Sequence, residues 1–337
     1  MSVASGIASG AVATPRLAAE AVERALSRAG LDRAQAVLLF LSADFADDPR
    51  PALVAAARAA QTLALTGCTA LGILTEEDWI LDAPSAAALV LGGERGFVRP
   101  GADQAVLTLA APNTLDLAWL AAGVPRYGGI AGDATGLGPY KVWQQGQLRP
   151  DGRCEQALSG PPPAIHVSRG MLPLGEPLRI DELDGFDLLR LSGQPAATTL
   201  RRVATTLALH ELALAGLDEH GRIVHCWPLV GIDEGGAVTV AAHLRTGGRV
   251  VWMRRSAEAA RVELETALQD GPASFGLLFS CGSRGAAFHG GIEGDWRAIR
   301  QARPGLPLVG FYGNGQIAPV GGENRLLHHS VVVSLFA

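Results

Sequence analysis

Apolar and polar positions along the chain fall into two recurring patterns: short apolar runs of strand length, and longer stretches with apolar residues three and four apart. Thr14 can cap a first helix, Pro15 fits its first position, Leu17, Ala21, Val22, Ala25 and Ala29 share one side, and Gly30 ends it. Residues 36–41 read as a buried strand, Asp44, Asp47 and Asp48 as a polar turn, and 51–63 as a helix leading into Gly67-Cys-Thr-Ala-Leu-Gly. A further strand is expected over 86–91. The order strand, polar turn, helix, glycine-rich stretch then recurs. A strand at 105–109 and a short helix capped by Asn113 and ending at Gly123 precede Tyr127-Gly-Gly-Ile-Ala-Gly-Asp. A strand at 277–280 and a helix at 295–302 precede the stretch from Gly310. In two of the three, glycines stand five apart, Gly67 with Gly72 and Gly310 with Gly315, which predicts two related halves facing each other.

Residues 149–163 are rich in proline, glycine and charge and read as a linker, dividing the chain into modules at 1–150 and 151–337. Beyond it, strands are predicted at 165–167 and 178–180, and a helix over 196–214 with Leu200, Val203, Ala204, Leu207 and Leu212 inward. Turns at Asp218-Glu-His-Gly, Asp233-Glu-Gly-Gly and Thr246-Gly-Gly bracket an antiparallel meander, and Ser256 caps a helix with Ala260, Leu264 and Leu268 on its apolar face. The fold class predicted is α/β, mixed α+β: two pseudo-repeated lobes of mostly buried sheets flanked by helices, with a ligand cleft at the lobe interface.

Composition narrows the partners. Hydrophobic residues are 48% and charged residues 18%, which suits a globular core. No apolar run reaches the roughly 18 residues that span a bilayer, and the N-terminus lacks the features of a secretory signal. A soluble, cytoplasmic protein without a membrane partner is expected. A net charge of -5 and the lack of a basic stripe with interleaved aromatics argue against nucleic acid. Cys68, Cys154, Cys226 and Cys281 form no C-x-x-C pair, as expected of free thiols. Nearly every basic residue is arginine; Lys141 is the one lysine.

The glycine stretches read as polar loops whose N–H groups and neighbouring side chains line a pocket. Ile73 and Gln316 stand where a nucleotide-binding loop needs lysine, so phosphate-loop chemistry is not indicated. Cys68 reads as a small core residue. Cys281, with Arg284 three residues on, could instead be a reactive thiol paired with His289, His328 or His329. Arg284 suits a ligand carboxylate, or else pairs with a surface acid. Asn314, Gln316, Glu323 and Asn324 either orient a small polar ligand or hold the loops together. Adjacent His328 and His329 point to opposite faces if extended, so they do not share one ion.

Together, Phe279-Ser-Cys-Gly-Ser-Arg-Gly, Gly310-Phe-Tyr-Gly-Asn-Gly-Gln-Ile, Pro319-Val-Gly-Gly-Glu-Asn, Leu327-His-His, Gly67-Cys-Thr-Ala-Leu-Gly and Gly128-Gly-Ile-Ala-Gly-Asp resemble the FIST family of sensory domains over nearly the whole chain. The resemblance implies an N-terminal and a C-terminal FIST domain. It also implies a stand-alone bacterial signal-transduction protein that binds a small molecule and acts on a signalling protein in trans. The ligand-binding set it implies is Gly67, Cys68, Thr69, Gly129, Cys281, Gly282, Ser283, Arg284, Tyr312, Asn314, Gln316, Glu323, Asn324 and His328. Family members often carry an acid after each glycine pair, where this chain has Ile73 and Gln316. They often carry Ser-His-Gly where it has Ser168-Arg169-Gly170. Two counter-ions for an amine are absent and a cation is gained, so the ligand expected is anionic or neutral. No metal or cofactor is expected. The alternatives are a cysteine-dependent enzyme using Cys281 and a haem-binding gas sensor.

Overall fold

The strand, helix, strand order forms three times in a computed structural model of the chain, which describes residues 2–101, 104–269 and 271–337. In each repeat a lead strand enters a helix and the chain returns as a second strand parallel to the lead, because a helical crossover brings it back in the same direction. The first repeat is Ala36–Ser42, Arg50–Ala60 and Leu65–Ala70. The second is Val106–Ala110, Leu117–Ala121 and Arg126–Ile130. The third is Phe275–Cys281, Gly294–Ala302 and Leu308–Gly313. An antiparallel strand flanks each lead: Ser85–Leu91, Arg153–Leu158 and Val331–Phe336.

Each repeat then exports a strand. Gly72–Thr75 leaves the first repeat and pairs with Leu308–Gly313 of the third. Gly315–Val320 leaves the third for Arg126–Ile130 of the second, and Val142–Gln144 leaves the second for Leu65–Ala70 of the first. The exchange closes in a ring, so each of these three six-stranded sheets is completed by another repeat. The expectation of two facing halves is therefore corrected to three interlocked repeats.

The glycine stretches expected as loops are the buried second strands themselves. Gly67, Gly128 and Gly310 lie opposite Leu39, Thr108 and Leu278, where an added Cβ would fall 1.7, 2.0 and 1.9 Å from the facing carbonyl oxygen. Glycine permits this close approach, which a side chain would prevent. One position on, Cys68, Gly129 and Phe311 occupy equivalent sites in the common core. The Phe311 ring sits 4.9 Å from that of Phe40 and 5.3 Å from that of Phe279. A Cβ on Gly129 would lie 2.7 Å from it. One large and two small residues thus fill the centre.

Residues 149–163 are not a linker. They hold a turn and the strand Arg153–Leu158, in which Cys154, Ala157 and Leu158 are buried. By contact density the chain forms two units, residues 1–169 with 261–337, and residues 170–260. The second unit is an antiparallel sheet of seven strands with its own core, including Leu188, Leu214, Val238 and Trp252. Its predicted helix over 196–214 ends at Val203, and Leu212–Leu217 is a central strand. Pairing on both edges overrides the helical spacing of its leucines.

Candidate functional site

Each lead strand ends in a short 3-10 turn: Ala43–Phe45, Pro112–Thr114 and Gly282–Arg284. In the third repeat this turn buries Arg284 completely. Its Nε and Nη2 donate to Asp295 at 3.1 and 2.6 Å, its Nη1 to the Ser168 carbonyl at 2.8 Å, and both Nη atoms to Ser168 Oγ. The guanidinium is thus satisfied by the protein's own acceptors, and Asp295 on the following helix supplies the carboxylate that sequence assigned to a ligand or a surface acid. Burial pushes the Asp295 carboxyl up, but Arg284 and His289 outweigh it and hold the group below its usual range.

Three more polar groups face this pair. His289 Nε2 lies 3.2 Å from Asp295 Oδ2. Glu293 caps the helix by accepting the Trp296 N–H, and burial, reinforced by the charge of Asp295, pushes its carboxyl up to about 7. The buried Tyr312 hydroxyl faces Glu293, and burial followed by that carboxylate raises it well above its usual range.

Beside the pair, Cys281 Sγ is 3.1 Å from Ser283 Oγ, which is 2.7 Å from His329 Nδ1. Gly282 belongs to the same turn. At the ends of the second strands, Asn314 Nδ2 donates to the Tyr140 hydroxyl at 3.4 Å, and Lys141 N–H donates to Thr69 Oγ1 at 3.0 Å. His328 contacts the Asn314 backbone, but burial dominates and lowers its pKa.

Lys141 also lines a cleft of about 370 Å³, together with Arg50, Asn113, Thr114, Tyr140 and Arg149. It lies where the chain passes from the first sheet to the second, so the polar composition of the supposed linker builds a cleft wall. Arg149 pairs with Asp151, whereas the Arg50 guanidinium and the Lys141 ammonium form no ion pair among the described residues.

The sequence-derived set therefore divides. Cys281, Gly282, Ser283, Arg284 and Tyr312 gather at the end of the third sheet's parallel pair. Thr69, Asn314 and His328 sit near the exported strands. Gly67, Cys68 and Gly129 pack in second strands, where burial pushes the Cys68 thiol well up. Gln316 is buried and accepts from Ser330 Oγ. Asn324 accepts the Arg126 N–H and donates to the Val124 carbonyl, at the start of the second repeat's second strand. Glu323 is exposed and pairs with Arg325. Sequence reasoning missed Ser168, Glu293, Asp295, Arg50 and Arg149. Asp295 carried a signal, an acid at the start of a predicted helix eleven residues after an arginine that needs a carboxylate partner.

A FIST N domain model matches residues 35–194 and a FIST C domain model matches residues 194–319. The chain belongs to the FIST family. It is 28% identical over 369 residues to an uncharacterized protein of Mycobacterium tuberculosis (strain CDC 1551 / Oshkosh), covering 95% of this chain and 96% of that relative. It is 26% identical over 325 residues to an uncharacterized protein of Mycobacterium bovis, covering 81% and 83%. Among the described residues of this FIST protein, no helix is long and apolar enough to cross a membrane.

Proposed function

We propose that this FIST protein is a sensor of a small anionic ligand, a carboxylate or phosphate ester, that passes occupancy of its site to a signalling partner. The observation that carries this is the cleft in which Arg50, from the first repeat's helix, meets Lys141 and Arg149, from the two ends of the exported hairpin, with only Arg149 paired to an acid. The Arg50 guanidinium and the Lys141 ammonium, which form no ion pair among the described residues, favour an anion, and the Asn113 amide adds a neutral donor. The lining comes from the first helix–strand repeat, from the second repeat's turn and from its exported hairpin. A bound anion would tie these elements together and bias their packing, which is the change a partner could read.

Thermal-shift screening of small carboxylates, phosphate esters and amines tests the proposal. Anions stabilise the chain, and Lys141→Glu with Arg50→Glu abolishes the shift without unfolding the protein. Stabilisation by cationic amines alone would overturn it.

The Cys281, Ser283 and His329 chain favours a second reading, a nucleophilic enzyme. That reading requires fast, pH-dependent alkylation of Cys281 and loss of turnover in Cys281→Ser; a binding protein tolerates the change.

A further inference from the structure

We propose that His289, Glu293 and Asp295 form a binding site for one divalent transition-metal ion, with zinc the best match to the donors. One imidazole nitrogen and two carboxylate oxygens are a donor set that zinc takes. The three ligand atoms lie within 4.8 Å of one another. Around a tetrahedral ion such atoms sit roughly 3.4 Å apart, so side-chain rotations of about 1 Å would close the set.

A second observation points to an occupant. No hydrogen bond of ordinary geometry reaches the buried atoms Glu293 Oε1 and Tyr312 Oη, and the buried His289 Nε2 has only its 3.2 Å contact with Asp295 Oδ2. Tyr312 is fully buried and Glu293 is 1% exposed. Buried polar atoms are normally satisfied, and an ion bound to Nε2 and Oε1 would satisfy two of these three. Tyr312 would then stand beside the coordinated carboxylate as an outer hydrogen-bonding group.

The local sequence His289-Gly-Gly-Ile-Glu-Gly-Asp295 is shaped for this arrangement. Gly290 and Gly291 have φ of 78° and 106°, conformations glycine adopts without strain, and they turn His289 back over the helix start. A Cβ on Gly294 would lie 2.4 Å from His289 Nδ1, so glycine there makes room for the imidazole. Arg284 takes one lone pair on each Asp295 oxygen, and Oδ2 also faces His289 Nε2 at 3.2 Å, a contact that an ion held between the two would replace.

The test uses the full chain after exhaustive chelation, titrated with Zn²⁺ by calorimetry and with Co²⁺ by visible absorption. One ion should bind per chain. His289→Ala and Glu293→Gln, both checked for native circular dichroism, should each weaken Zn²⁺ by roughly tenfold or more. X-ray absorption of the zinc-loaded wild-type chain, which needs no variant, should report nitrogen and oxygen ligands including an imidazole. Absence of a one-to-one complex, unchanged binding in both variants, or sulfur in the coordination shell would each overturn the proposal.

Discussion

Phe45 and Arg284 occupy the same place in two repeats. Each is six residues beyond the lead-strand residue that faces a close-approach glycine, and each ends its 3-10 turn. Both are buried. Phe45 packs with Leu41, Ala52 and Leu53 in an apolar cluster, whereas Arg284 is enclosed by Ser168 and Asp295. The repeat architecture evidently accepts phenylalanine here, so topology alone does not call for a charge. A buried ion pair gives little net stability over well-packed apolar residues, because desolvation offsets the attraction. The third repeat therefore carries a polar assembly that the fold does not require, and this difference singles it out for chemistry.

The comparison breaks most visibly if the charge is moved. Phe45→Arg places an unpaired guanidinium in the apolar cluster of the first repeat and should cost about 5 kcal/mol or more, abolishing folded expression. Arg284→Ala strands Asp295 and should cost about 3–5 kcal/mol in denaturant unfolding. The double variant Arg284→Met with Asp295→Leu should recover most of that loss; strictly additive losses would mean the pair does hold the fold. Burial raises the Glu293 carboxyl from 4.5 to about 7, so the folded state holds a proton that the unfolded chain releases. Stability, measured with chelator present, should fall as pH climbs from 4.5 through 7 and level off above, by at most about 3 kcal/mol. Glu293→Gln should flatten that slope. A Cβ at Gly129 meets the Phe311 ring, so Gly129→Ala should cost about 1–3 kcal/mol.

Much of the fold was legible in the sequence. Residues 36–41 form the expected strand and 295–302 the expected helix, and the helix expected over 51–63 forms over Arg50–Ala60, because periodicity and packing agree there. The internal recurrence was also visible, three times over, but its assembly was not: two halves were expected where three repeats interlock, since the strand exchange joins residues such as Tyr312 and Gly72 that no local pattern connects. Glycine suggested loops where it serves close strand approach, because composition does not distinguish a free backbone from a crowded one. The candidate site was half legible. Cys281, Ser283 and Arg284 share one turn and could be read together. Asp295, Ser168 and His329 join them only through tertiary packing, and the Lys141 cleft forms only where two sheets meet.

Lys141 offers the most direct test of anion sensing, because it is the one lysine in the chain and an amine-acylating reagent reports on it alone apart from the N-terminus. Peptide mapping should show acetylation of Lys141 slowed roughly tenfold by the most stabilising anion from the thermal-shift screen, with the N-terminal amine unaffected. An unchanged Lys141 rate at a saturating concentration of that anion would contradict the account.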